Sequence, residues 1–237
     1  MSSTTAQPVS PRTRVRRCAG RGVYERDAIH AILDEGLVAH VGFAVGGQPY
    51  VIPMLYARAG ERVYLHGSPA SRLLQGLSGG IPTCFTVTLL DGLVLARSAF
   101  HHSLNYRSVV VLGEAERVEA PAEKRAALEA IVEHVVAGRS GEARAPNPKE
   151  LDATLVLALS LHEASAKVRS GPPVDAAEDH GLSVWAGEVP LRLVGLPPVP
   201  DDLTDPALEP PGAAIAYDRG GAAHAPHPGA GPAEAAR

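Results

Sequence analysis

Val63-Tyr64-Leu65-His66-Gly67-Ser68-Pro69-Ala70-Ser71-Arg72-Leu73-Leu74 passes from an apolar run through a loop of small residues into the start of a helix. Ser68 and Ser71 offer hydroxyls, a first helical turn offers unpaired backbone N–H groups, and Arg72 adds a permanent positive charge beside them. The same residues also make an ordinary helix start, with Ser68 or Ser71 as N-cap and Arg72 simply solvated. Neither a GxGxxG nor a GxxxxGK[ST] pattern accompanies them, so the neighbouring segments decide between a phosphate cradle and a plain cap.

Upstream, Glu25 to Asp34 reads as a helix with Ile29, Ile32 and Leu33 on one face and Gly36 closing it. A strand follows over Leu37 to Val45, Gly46-Gly47 marks a hairpin turn, and Pro49 to Ala57 returns. The turn Ala59-Gly60-Glu61 leads into Val63 to His66, which predicts a three-stranded antiparallel meander. Downstream, a helix over Ser71 to Leu77 ends at Gly79-Gly80. Thr83 to Leu89 alternates Thr with apolar residues, and Asp91-Gly92 predicts a turn before Leu93 to Ala96. Tyr106 to Val118 reads as one long strand, and Pro121 opens a helix carrying Ala126, Leu128, Ile131, Val132 and Val135 at helical spacing before Gly138. Thr154 to Leu161 and Ser183 to Leu193 complete the strands. Many short strands, a few peripheral helices and no βαβ alternation predict a mainly β fold, a closed antiparallel barrel with Greek-key-like connections.

The 237 residues carry a net charge of −4, so no chain-wide basic footprint points to nucleic acid. Residues 1–20 form a basic, flexible arm with Arg12, Arg14, Arg16 and Arg17, and Arg21 just beyond it. Residues 21–196 make the folded domain, and 197–237 form a Pro/Ala/Gly-rich tail expected to be disordered. Cys18 and Cys84 lie far apart in unlike surroundings, and no apolar run has the length of a membrane span. The expected location is the cytoplasm. His224 and His227 have no third ligand or rigid frame nearby, so no metal site is expected.

Three blocks in this order and spacing resemble the pyridoxamine 5'-phosphate oxidase-like superfamily. They are Gln48-Pro49-Tyr50-Val51-Ile52-Pro53-Met54, then Val63 to Ser68 with Ser71-Arg72, then His101-His102-Ser103-Leu104-Asn105-Tyr106-Arg107-Ser108-Val109-Val110-Val111 with Gly113-Glu114-Ala115. The narrower resemblance, over roughly Arg21 to Leu196, is to its flavin-nucleotide-binding branch, related to nitroimidazole-resistance reductases. It implies a split β-barrel homodimer with an FMN site at each end of the subunit interface. Val51, Ile52, Pro53 and Met54 would then lie along the flavin ring, with Tyr64 and His66 on the neighbouring strand, and Ser68, Ser71 and Arg72 would hold the phosphate. Asn105, Tyr106, Arg107 and Ser108 fall in the interface block, and Trp185 matches the aromatic that the partner subunit brings near the flavin. The implied activity passes electrons through FMN to a small organic acceptor, as a nitroreductase does, with NAD(P)H as candidate donor. The alternative is a flavin, deazaflavin or haem carrier, in which His40, His66 or His101 becomes a candidate ligand. The full arginine set of vitamin B6 oxidases is missing.

The residues themselves add further expectations. His66 is the one candidate catalytic group, as a hydrogen-bond donor or proton shuttle, against the alternative of a strand-end histidine bonded to backbone. Adjacent His101 and His102 in an extended segment point to opposite faces. Arg107, before an apolar run, must reach solvent or meet a carboxylate or phosphate. Glu114 and Glu116 fall on one strand face. Ser165 to Pro173 reads as a basic loop in which Lys167 and Arg169 either are solvated or screen a phosphate, a substrate carboxylate or a dimer partner.

Overall fold

Alternating burial along the strands wraps two antiparallel sheets around one apolar core, in a computed structural model that describes residues 6–219. The chain begins with β1 (Gly22–Val23), α1 (Arg26–Glu35), β2 (Val38–Val45), β3 (Gln48–Leu55), β4 (Ala57–Ala59), β5 (Arg62–Gly67) and α2 (Arg72–Ser78). It continues through β6 (Thr83–Leu95), β7 (Ser103–Gly113), β8 (Glu116–Arg117), α3 (Pro121–Val135), α4 (Arg139–Glu142) and α5 (Pro148–Asp152). It closes with β9 (Leu155–Ser160), β10 (Ala164–Arg169), β11 (Gly187–Pro190), β12 (Leu193–Val194), α6 (Gly212–Ile215) and β13 (Asp218–Arg219). His224 and His227 lie outside the described residues.

The larger sheet runs β1-β10-β7-β6-β2-β3, with β11 on the far end of β6, and the smaller runs β4-β5-β9-β8. This is a mainly β fold, as the strand pattern predicts, and the split barrel that the family resemblance implies. Val41, Phe85, Val87, Val109 and Val111 face Val63, Leu65, Leu157 and Leu159 across the core, and α1 and α2 close it with Ile29, Ile32, Leu33, Leu73, Leu74 and Leu77. The opposite face of the smaller sheet is also dry. Tyr64, Val156, Ala158 and Val118 pack there under Ala127 of α3, so β9 is apolar at every position from Leu155 to Leu159.

The structure corrects several expected elements. The meander is broken at Tyr56: β2 and β3 form the hairpin, turned by Gly46 and Gly47 at φ +57° and +81°, but β5 pairs with β4 and β9 in the other sheet. Asp91-Gly92 is not a turn. β6 runs on through it with a register shift at this point, and Gly92 faces Pro190 of β11, where a Cβ would sit 3.1 Å from the Val189 carbonyl oxygen. The run 106–118 splits between sheets, which separates Glu114 from Glu116. Ser165 to Arg169 is strand rather than loop, paired with Tyr106 to Val110. On α3 the buried positions are Ala127 and Ile131, while Ala126 and Val132 are exposed.

The carbonyl end of α1 is tied from three distant segments. The buried Tyr56 hydroxyl donates to the Leu33 carbonyl at 2.6 Å, His134 Nε2 lies 2.6 Å from the Gly36 carbonyl, and Arg219 Nη1 reaches the Glu35 and Gly36 carbonyls at 3.1 and 3.4 Å. Gly36 permits this convergence, because a Cβ there would lie 2.4 Å from Val87 Cγ1. Arg12 pairs with Glu163, Thr13 is buried, and the Tyr24 hydroxyl accepts from the Val15 N–H at 2.9 Å. Tyr56→Phe removes a buried donor and leaves the Leu33 carbonyl unpaired, so we expect a loss of about 1–3 kcal/mol in urea unfolding with an unchanged m-value.

Candidate functional site

β3 is the edge strand beside β2, and it is unusual in being apolar and exposed on both faces. Val51, 64% exposed, shares the outward face with Pro53 and Leu55, and Ile52 and Tyr50 are exposed on the inward side. Pro53 has no N–H to give a neighbouring strand, so it suits an edge that borders a cleft. Met54 alone packs against the core. β3 passes close to β5, and the loop after β5 carries the serines. The outward face beyond β3 is formed by His40 on β2, Thr86 and Thr88 on β6, and Ser108 and Val110 on β7, with no charged group until Lys167 on β10.

At the end of β5, the buried His66 Nδ1 has no hydrogen-bond partner. Burial holds its imidazole below the ordinary histidine pKa, so the ring is neutral at pH 7. Ser68 Oγ accepts from the Ala70 N–H at 3.2 Å, and Ser71 Oγ caps α2 by accepting from the Leu74 N–H at 3.5 Å. Each hydroxyl keeps its own proton to donate. Arg72 is exposed on the first turn of α2 and pairs with nothing among the described residues.

Other expected site residues lie elsewhere. Tyr64 points away from the barrel: it packs under α3, and its hydroxyl donates to Glu123 Oε1 at 3.0 Å. Arg107 is not free for a phosphate. Its guanidinium donates to Glu35 at 2.6 and 2.7 Å and to Asp91 at 2.7 and 2.9 Å, and these bonds hold its pKa above the usual arginine value despite burial. Asn105 is buried in a network with Glu188 and Arg169, whose guanidinium also donates to the carbonyls of Gly171 and Pro172. Tyr106 and Ser108 are half-buried on the outward face, where the Ser108 hydroxyl donates to the Lys167 carbonyl at 3.3 Å. Trp185 is 65% exposed and lies over Gly187.

His101 and His102 do not sit in an extended segment. A turn folds both back on Ser98, with His101 Nδ1 2.8 Å from its hydroxyl and His102 Nδ1 2.9 Å from its carbonyl oxygen. His101, Asp175 and Asp179 bring ligand-type atoms within 4.8 Å of one another, but both oxygens of Asp175 already accept from Arg97.

A cleft of about 360 Å³ lies where the outward face meets the end of α1. Leu37, Val38, Leu89, Leu90, Leu191 and Leu193 line it, together with the exposed His40, the acidic Glu35 and Asp91, and the basic Arg192 and Arg219. Sequence reasoning missed this cleft because its walls come from four segments spread from Glu35 to Arg219.

Residues 25–168 match the family model described as pyridoxamine 5'-phosphate oxidase. The chain belongs to this family. No curated protein matches this family member. It is similar to the flavocytochrome Anf3 from Azotobacter vinelandii, with 42% identity over 89% of this chain and 98% of that one and a TM-score of 0.83. It is similar also to the FAD and haem binding protein from Mycobacterium smegmatis, with 34% identity over 84% of this chain and 98% of that one and a TM-score of 0.80. A 5-nitroimidazole antibiotic resistance protein homologue from Bacteroides thetaiotaomicron shares the fold at 24% identity, over 62% of this chain and 86% of that one, with a TM-score of 0.52.

Arg107→Leu leaves Glu35 and Asp91 facing each other without their shared cation, and we expect a loss of about 3 kcal/mol in urea unfolding. A second expectation concerns pH. Burial lowers the pKa of both His66 and His134 in the folded chain. Both groups therefore contribute fully above the unfolded value of about 6.5, and stability falls as pH drops below it, because only the unfolded chain takes up protons. Unfolding midpoints measured from about pH 7.5 down to about pH 5 should fall, and should fall less in the His66→Gln and His134→Gln variants.

Proposed function

We propose that the protein is a redox protein that binds a flavin nucleotide where β3, the end of β5 and the start of α2 converge, and that works as a homodimer. The observation that carries this reading is the apolar edge strand β3, exposed on both faces, lying close to β5, which ends in a buried and unpartnered His66 Nδ1. A planar ring needs an apolar slot with few, well-placed polar atoms, and these residues supply one. Val51 and Ile52 offer apolar contact, Pro53 keeps the strand edge open, and His66 offers a neutral imidazole. Arg72, Ser68 and Ser71 offer a charge and two O–H donors for a phosphate. The outward face of the larger sheet from β3 to β7, which carries no charged group before Lys167, is the surface a second copy would cover, with Tyr106 and Ser108 on it.

When bound, the flavin supplies hydride and single-electron chemistry between a reduced donor such as NAD(P)H and a small organic acceptor. The chain's own contribution is to bind, to exclude water and to place His66 where its ring can give or take a hydrogen bond without carrying charge. The similarity to the FAD and haem binding protein from M. smegmatis supports FAD beside the FMN expected from sequence. Two free cysteines support a cytoplasmic location.

The cleft favours a second cofactor. Its walls are mainly apolar and hold one imidazole, so a haem bound there would take His40 as its candidate iron ligand, with Arg192 and Arg219, already tied to Asp218 and to the end of α1, lending positive charge nearby. The similarity to a flavocytochrome supports this reading. Titration of FMN and FAD into cofactor-free protein, followed by flavin fluorescence, should give saturable quenching. Arg72→Ala should weaken it by about 10-fold or more, since a charge-assisted bond is worth about 1.5–3 kcal/mol. Quenching that is absent or indifferent to Arg72 contradicts the site. Reconstitution with haemin should give a Soret band that shifts in His40→Ala, and an unshifted band removes His40 as ligand.

A further inference from the structure

Residues 196–216 form an excursion anchored at both ends. At its root Leu193 and Val194 pair with Arg219 and Asp218, the Gly195 N–H donates to the Tyr217 carbonyl at 2.8 Å, and Arg192 pairs with Asp218 at 3.2 Å. Between these ties the chain has local order but no core. Asp201 caps a turn at Leu203 and Thr204, Asp205 caps the next at Ala207, and α6 follows. Yet Leu196, Val199, Leu203 and Leu208 are 81%, 90%, 93% and 67% exposed. Six prolines stiffen the stretch, so it loses little entropy on docking. It holds Asp201, Asp202, Asp205 and Glu209 and no Lys or Arg.

The opposite character is found at the other end of the chain. Arg14, Arg16 and Arg17 are exposed, and none of them pairs with a carboxylate among the described residues. They precede β1, the edge of the larger sheet opposite β3. The root of the 196–216 excursion borders the outward face, since Val38, His40, Thr88 and Leu90 line the cleft together with Leu193 and Arg219. An out-and-back loop over 196–216 can reach about 30 Å from that root at roughly 3.1 Å per residue.

We infer that the 196–216 excursion of one subunit lies across a second copy of this chain, its carboxylates against the partner's arginine-rich N-terminal segment and its leucines and valine against apolar surface of the dimer. This rests on the homodimer reading above. Two-fold symmetry makes the contact twice, so each added ion pair counts double. The charge complementarity sets register and association rate, and the apolar side chains supply the holding energy.

The test is sedimentation velocity of the full chain across protein concentrations, at low and at high salt. The wild type should be dimeric. Combining Arg14→Glu, Arg16→Glu and Arg17→Glu should raise the dissociation constant roughly 10-fold at low salt, and the increase should shrink at high salt. Combining Asp202→Arg, Asp205→Arg and Glu209→Arg should do the same, and joining both sets in one chain should restore wild-type dissociation. A dimer indifferent to either set, or one that the joined set does not rescue, overturns the contact of the 196–216 excursion and leaves the homodimer standing. A monomeric wild type overturns both. Circular dichroism of each variant confirms that the fold is intact.

Discussion

The carbonyl end of α1 is the point on which the rest of the structure depends. Four helix-terminal carbonyls have no partner within the helix, and leaving them dry and unpaired would cost several kcal/mol. Here Tyr56, His134 and Arg219 satisfy the Leu33, Glu35 and Gly36 carbonyls, while Arg107 ties the Glu35 side chain to Asp91. Those partners come from the link between β3 and β4, from α3, from the last described strand and from the two longest strands. Satisfying one helix end thus fixes where both sheets, the outer helix and the returning C-terminal segment sit, and it builds the back wall of the cleft.

The candidate site follows from what that arrangement leaves undone. β3 has one neighbour and a bare edge, and its inward and outward residues are both open. Exposed apolar area of this kind in an ordered strand marks a surface that something else covers. The flavin reading and the second subunit account for the two faces together. The buried Nδ1 of His66, which costs free energy while unpaired, is accounted for by the same reading.

Local signals were legible in the sequence and long-range ones were not. The apolar face of α1, the Gly46-Gly47 turn and the Ser71 cap are set by neighbours within a few residues, and all three are present as read. The side taken by Tyr64 is different. Both faces of β5 are buried, so period-two alternation carries no information about which one meets the barrel. Asp91-Gly92 has the composition of a turn, and only the pairing of β11 across it turns it into an irregularity inside β6. The position of Arg107 before an apolar run calls for an anion, and the fold supplies one. Its partners, 16 and 72 residues away, decide that the anion is a pair of carboxylates rather than a phosphate. The cleft had no sequence signature, since no two of its walls share a motif.

The most direct test of the central claim is chemical identification of what the 237-residue chain carries. The protein, purified without added cofactor and again after incubation with excess flavin nucleotide, would be denatured and the released material separated and identified. The account predicts a flavin nucleotide in about one-to-one ratio with the chain. A chain that releases none, before or after incubation, contradicts it.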